Sequence, residues 1–356
     1  MRLSPLVLLL LAACGQAPSP SVPDGGSTGE TPGSTGDPID ATSSTTDAES
    51  SSSGEPSEGS SSTGDGAIAE VTPWVWDLPP GFPMPIIPEG AEMTVEAVEL
   101  GRHLFYDTRL SVDGTYACAT CHDPAKAFTD GRAQAIGVTG QLHRRSAMSL
   151  ANVAYAGTLA WADPELLDLE SHALIPLFGT DPVEMGLRDE ADLVARIEDE
   201  PRYQDLFGAA YPGDPEPITL EHVTAAIAAF ERTLISGRAP FDRWFYEGDE
   251  GAVSDAVKRG WALFNVPGEC TYCHFGFDFS TASYFEGMPE RPYEFRNTAL
   301  YDLDGLGAYP EGNEGLFRFT GDPADMGRFK PPTLRNIAVT APYMHDGSVA
   351  TLEALL

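Results

Sequence analysis

Basic residues are scarce in this 356-residue chain: 21 Lys and Arg stand against 54 Asp and Glu, for a formal net charge of −33. So acidic a chain repels a phosphate backbone, which argues against nucleic acid as a partner and favours solubility. Long apolar runs are missing after the first fourteen residues, so no later stretch could span a bilayer. Runs with the period-2 alternation of half-buried strands are absent too, and what periodicity there is points to a mainly α fold with long loops. Cysteine is the most telling shortage. There are only five, and none is left over for a disulfide framework once the motifs below are counted.

The first, Cys14, closes MRLSPLVLLLLAAC. One basic residue followed by an apolar run too short for a membrane span reads as a secretory signal peptide over residues 1–14. Leu11-Ala12-Ala13-Cys14 also resembles the lipobox of bacterial lipoproteins, whose cysteine is lipidated and becomes the new N-terminus. The alternative is an ordinary signal cleaved nearby, with Cys14 discarded. Lipidation implies a periplasmic lipoprotein tethered to the outer membrane. Residues 15–70 contain no Lys or Arg and ten acidic residues among Ser, Thr, Gly and Pro. Such a segment buries too little apolar surface to offset its ordering entropy, so a disordered, self-repelling tether is expected. The remainder still carries −23.

From Val71 the composition changes. Trp74, Trp76, Phe82 and a Pro-rich stretch to Pro88 suggest an extended arm packed on the body. Thr94 is placed to cap a helix with Val95, Val98, Leu104 and Phe105 on one face. Ser254 can cap another carrying Val257, Trp261 and Phe264, and Thr219 to Ser236 has helical spacing throughout. Gly101-Arg-His-Leu-Phe105 and Gly260-Trp-Ala-Leu-Phe264 share Gly-x-x-Leu-Phe, and each precedes a loop and then Cys-x-x-Cys-His. A helix–loop–motif unit thus occurs twice, which divides the body into residues 71–245 and 246–356.

The motifs themselves are Cys118-Ala-Thr-Cys121-His122 and Cys270-Thr-Tyr-Cys273-His274. A zinc site would gather four Cys or His ligands locally, whereas 148 residues separate Cys121 from Cys270. A redox dithiol needs no histidine after its second cysteine, and here there is one twice. Two covalent c-type haems fit best, with His122 and His274 as proximal iron ligands in two cytochrome c-like domains. Five histidines remain for other roles: His103, His143, His172, His222 and His345.

Several further stretches occur in a telling order. Leu104-Phe-Tyr-Asp-Thr-Arg-Leu-Ser111, the first haem motif with Ala127-Phe-Thr-Asp-Gly131, Phe329-Lys-Pro-Pro-Thr-Leu-Arg-Asn336 and Pro342-Tyr-Met-His-Asp-Gly347 together resemble the bacterial di-haem cytochrome c peroxidase and MauG superfamily. The resemblance runs from about Pro88 to the end and implies that hydrogen peroxide reacts at the N-terminal haem, while the C-terminal haem transfers electrons. Peroxidases of this family cap the first haem with a loop histidine in an Ile-Gly-His context. Here the loop reads Ile136-Gly137-Val138, and valine ligates no iron, so the resemblance implies a permanently open first haem. His143, five residues on, could substitute, but the resemblance implies that a histidine there accompanies the Arg145 to Leu150 stretch without serving as an iron ligand.

For the open face the resemblance implies Trp161 between the haems, with His172, Pro176 and Glu184 beyond it. His172 stands where the family usually has glutamine. Its imidazole could move a proton, or serve as a ligand, or sit at the surface. Glu184 is the acid–base candidate, against a plain loop carboxylate; Trp161 is a charge relay or simply core. A calcium ion is also implied, held by the carbonyls of Thr340 and Pro342, with Ser146 where the family has asparagine. The second haem's distal ligand is expected beyond Leu356, which lies eleven residues after His345; Met326, Tyr343 and Met344 are alternatives within the chain.

The stretch WADPELLDLESHALIPLFGTDPVEMG resembles the MauG-related branch that includes MbnH, whose members use peroxide to oxidise tryptophan in a partner protein. A peroxidase drawing electrons from a small cytochrome is the rival within the family. A non-catalytic di-haem electron carrier is the rival outside it, and needs both irons six-coordinate.

Overall fold

Thr94, Thr219 and Ser254 start three of the helices by the same device. Each hydroxyl accepts an N–H three residues on, from Ala97, His222 and Val257 respectively, so a donor with no intrahelical partner is satisfied locally. The structure is a computed structural model, and it describes residues 70–356. Cys14, the signal peptide and the tether up to residue 69 lie outside the described residues.

In chain order the helices are α1 (Val95–Phe105), α2 (Cys118–Cys121), α3 (Leu169–Phe178), α4 (Glu190–Ala195), α5 (Pro201–Ala210), α6 (Leu220–Arg232), α7 (Pro240–Glu247), α8 (Asp255–Asn265), α9 (Phe317–Thr320) and α10 (Leu352–Leu355). Strands β1 (Arg296–Asn297) and β2 (Arg328–Phe329) form one short antiparallel pair. The fold is mainly α with long loops. Among the described residues no helix is long and apolar enough to cross a membrane.

The main core is built where α1 lies along α6, with α3 and α5 packed beside them. Leu100, Leu104 and Phe105 from α1 meet Val223, Ile227 and Phe230 from α6, and Tyr203 and Phe207 from α5. Each such side chain contributes roughly 1.5–3 kcal/mol on burial. The helices approach so closely that a Cβ on Gly101 would sit 1.7 Å from the Ala226 carbonyl oxygen. The repeated Gly260 meets nothing within 4 Å, and Leu263 is 59% exposed where Leu104 is fully buried. The shared Gly-x-x-Leu-Phe therefore makes a tight helix crossing only in its first copy.

Helix α6 stops at Arg232, short of the expected Ser236. Its last turn tightens as Thr233 and Leu234 bond carbonyls three residues back, and the chain then turns to Asn152. The Asn152 side chain accepts the Ser236 N–H at 2.7 Å and donates to the Ser236 carbonyl at 3.1 Å. The arm packs on the body through Phe82, whose ring meets Tyr155 and Phe277 at 6.1 and 4.8 Å. Nearby, Arg335 makes two 2.8 Å bonds to the fully buried Asp242 of α7.

Candidate functional site

In both haem motifs a backbone carbonyl orients the histidine, though the turns that carry the cysteines differ. In α2 the Thr120 hydroxyl accepts the Ala117 N–H at 2.9 Å, fixing the turn that presents Cys118, Cys121 and His122. His122 Nδ1 lies 2.8 Å from the Phe128 carbonyl oxygen, and His274 Nδ1 lies 3.0 Å from that of Phe279. A carbonyl only accepts, so each proton sits on Nδ1 and each Nε2 lone pair is left for a metal. Both phenylalanines adopt left-handed backbone, φ 62° and 51°. That conformation costs an ordinary residue roughly 1–2 kcal/mol and here turns the carbonyl onto the imidazole. The sequence signal was Phe128-Thr129 and Phe279-Ser280, a second repeat after each motif.

Cys121, His122, Cys270, Cys273 and His274 line one cavity of ≈ 1400 Å³, while Cys118 packs against the main core. The volume exceeds the roughly 300–1,000 Å³ of a single small-ligand pocket. None of the four motif cysteines is tied up in a disulfide. With tautomers fixed and a buried histidine nitrogen (His345 Nε2) left without a partner, these residues fit two covalently attached haems. Haem iron held by histidine supplies the redox chemistry and a coordination position for a small oxidant.

Trp161, His172, Pro176 and Glu184 all line this cavity, as do His143 and His345. His103 does not; it pairs with Glu99 on α1. Neither does His222, whose ring stacks on Tyr211 at 3.6 Å. Trp161 is held at both ends: its indole N–H donates to the Ser146 carbonyl at 3.1 Å, and its own carbonyl accepts the Lys330 N–H at 2.8 Å. The buried Lys330 ammonium donates to the Thr158 carbonyl at 2.6 Å and clamps that turn. Burial lowers the Lys330 pKa to about 8.

His172 and Pro176 lie one turn apart on α3, which Asp168 caps through the Ser171 N–H. Burial takes the His172 pKa down to about 4, helped by the nearby His122 and Lys330, so its imidazole is neutral at physiological pH. In the last turn of α3 the Pro176 and Leu177 carbonyls have no intrahelical donor and accept the N–H groups of Met185 and Leu187. That lays the Glu184 loop against the end of α3.

Glu184 is pushed up to about 7 by burial. Its Oε1 lies 3.5 Å from His143 Nε2. His143 arrives there on a hairpin in which Gly137 N–H donates to Gln141 and His143 N–H to Ala135. The hairpin is locked onto the Glu184 loop: Val138 N–H donates to the Glu184 carbonyl at 2.8 Å, and Val183 N–H to the Gln141 side chain at 3.0 Å. A Cβ on Gly137 would sit 1.8 Å from the Val183 carbonyl oxygen, so only glycine allows this contact. The approach of His143 to Glu184 was missed in the sequence; the Gly137-x-x-Gly140 spacing was its one local signal.

A second missed element is Asp278, four residues past His274. It accepts from Asn152 at 2.8 Å, Thr333 at 2.9 Å and Ser283 at 3.1 Å. Burial takes its pKa up to about 6 against these three donors. Tyr343 and Met344 also line the cavity, with the Tyr343 hydroxyl donating to the Ile337 carbonyl; Met326 does not. Thr340 and Pro342 line it too, and the Ser146 hydroxyl faces the Met344 carbonyl at 3.4 Å.

Residues 95–251 match the family model for di-haem cytochrome c peroxidase. A methylamine utilization protein MauG from Methylorubrum extorquens is 38% identical over 270 residues, 76% of this chain and 70% of that protein. This chain belongs to the di-haem cytochrome c peroxidase and MauG family. A cytochrome c551 peroxidase from Nitrosomonas europaea is 35% identical over 75% of this chain and 72% of that protein. The crystal structure of a MauG-like protein associated with microbial copper homeostasis superposes with a TM-score of 0.77 at 46% identity, over 79% of this chain and 81% of that one. Membership implies two haem cofactors and an oxidoreductase acting through them. The open question within the family is what this chain oxidises.

Proposed function

We propose that this chain is a periplasmic di-haem enzyme, lipidated at Cys14 and held to the outer membrane by the 15–70 tether, that uses hydrogen peroxide to oxidise a partner protein. Residues 71–245 form the peroxidatic half, and residues 246–356 the electron-transfer half. Cys118, Cys121 and His122 would hold the first haem, which would supply the coordination position for peroxide. Glu184 Oε1 carries a proton from one peroxide oxygen to the other, and His143 and the neutral His172 complete the polar wall. Peroxide takes up two electrons and two protons and leaves as two water molecules, and the partner gives up the same two electrons and two protons. Trp161, held by the Ser146 carbonyl and the Lys330 N–H, relays that charge, and the Thr340 and Pro342 carbonyls would hold a calcium ion that stiffens the junction.

The observation that carries the reading is Val138. The loop position where a capping histidine would close the first haem holds valine, in a hairpin whose backbone is bonded to the Glu184 loop. Similarity to the MauG-like protein associated with copper homeostasis supports a role on the copper-handling side of metabolism, and the resemblance of residues 161–186 to the branch that includes MbnH supports a tryptophan-bearing protein substrate. Similarity to the cytochrome c551 peroxidase favours a second reading, peroxide reduction at the expense of a small cytochrome. The two separate in a turnover assay with peroxide and a reduced small cytochrome c. The proposal expects oxidation of that donor no faster than with a non-specific reductant; rapid saturable turnover sinks it in favour of the second reading.

A further inference from the structure

Two basic side chains in the cavity wall have no acidic partner, and neither is used by the chemistry above. His345 is 4% exposed, and its Nε2 has no hydrogen-bond partner. The ring cannot turn away to find one. It is stacked on Phe329 at 3.7 Å with 12° between the planes, and the His345 carbonyl is fixed by the Ser146 N–H at 3.0 Å. Arg145, adjacent to Ser146, extends over the same Phe329 ring, with its guanidinium carbon 5.3 Å from the centroid. Its hydrogen bonds go only to neutral oxygens, Asn313 Oδ1 at 3.2 Å and the Gly312 carbonyl at 3.5 Å.

Neither acid nearby is bonded to this pair. Asp346 accepts from the Tyr301 hydroxyl and the Ser348 N–H. Glu314 lends Arg145 a favourable charge but makes no ion pair with it, and its own Oε2 is buried without a partner, while Arg144 and Arg318 add positive charge around the guanidinium. A half-buried guanidinium with no bonded anion and a buried imidazole nitrogen without an acceptor are each unfavourable. Both line the cavity that carries the two haem motifs. The Arg145 charge is felt at His345, and a carboxylate reaching both groups would accept from the forked guanidinium and from the Nε2–H tautomer of His345.

We infer that Arg145 and His345 form a clamp for a haem propionate, close to the Trp161 junction. The inference rests on haem attachment alone and not on what reacts at the iron, so the turnover assay above leaves it untouched. The test is spectroelectrochemistry of the holoprotein and of the Arg145→Gln, Arg145→Lys and His345→Phe variants. Two covalent haems per chain are first verified by pyridine haemochrome. Removing the charge or the donor leaves the propionate less compensated and disfavours the reduced haem. Arg145→Gln and His345→Phe should therefore lower one midpoint potential, the same one in both, while the other stays fixed. Arg145→Lys should recover part of the shift. Should Arg145→Gln lose its haem, resonance Raman of His345→Phe and Arg145→Lys decides through the propionate-bending band. A displaced band supports the clamp. Unchanged potentials or an unchanged band, with both haems in place, overturns it.

Discussion

Replacing Glu184 by glutamine isolates the proton step. The side chain is 26% exposed, and burial pushes its pKa up to about 7. Its neighbour His143 is held below its usual value by desolvation, so it is neutral where Glu184 titrates and adds no charge to the step. To take the first proton from peroxide, Glu184 must be ionised. With a pKa of about 7 the ionised fraction is roughly one tenth at pH 6, half at pH 7 and nine tenths at pH 8. The rate of peroxide consumption should therefore rise about tenfold from pH 6 to pH 8 and then level off. General acid–base catalysis contributes roughly 10²–10⁴ in rate. Glu184→Gln should lose a factor in that range, and its residual rate should not depend on pH through this window. Stopped-flow mixing of the haem-loaded protein with excess peroxide measures both. A variant within threefold of the parent, or one that keeps the same pH profile, refutes the assignment.

Two further outcomes concern stability. Asp242→Ala leaves the buried Arg335 guanidinium with only the Phe277 carbonyl, and should cost about 3–5 kcal/mol in chemical denaturation of the holoprotein. Glu231 on α6 is 9% exposed, and burial raises its pKa to about 8. The folded chain then holds a proton that the unfolded chain releases near its ordinary value of 4.5. Stability through this group is thus full below that value and falls as pH rises towards 8, by roughly 1.4 kcal/mol per unit. Glu231→Gln should flatten that slope when denaturation midpoints are compared from pH 5 to pH 8.

Contiguity decided what was legible in the sequence. The haem attachments are five-residue motifs, and the helix caps at Thr94, Thr219 and Ser254 act over three residues, so both stand in plain view. The cavity wall is different. His143 meets Glu184 across 41 positions, Arg145 reaches the Phe329 ring that His345 stacks on across 184, and Asn152 reaches Asp278 across 126. No local periodicity encodes such pairs, because they follow from how the loops fold over the helices. Even identical letters mislead: Gly101 and Gly260 open the same pentapeptide pattern, yet only the first is forced by a neighbouring backbone. The end of α6 was misjudged for a related reason, since Asn152 captures Ser236 from a distance of 84 residues.

The central claim is that no side chain of this protein closes the first haem in the oxidised state. Low-temperature EPR of the fully oxidised, haem-loaded protein tests it most directly. A high-spin ferric signal beside a low-spin one, in equal amounts and without prior reduction, is the predicted result. Two low-spin signals would contradict it and would point to His143 or His172 as the ligand that closes the face.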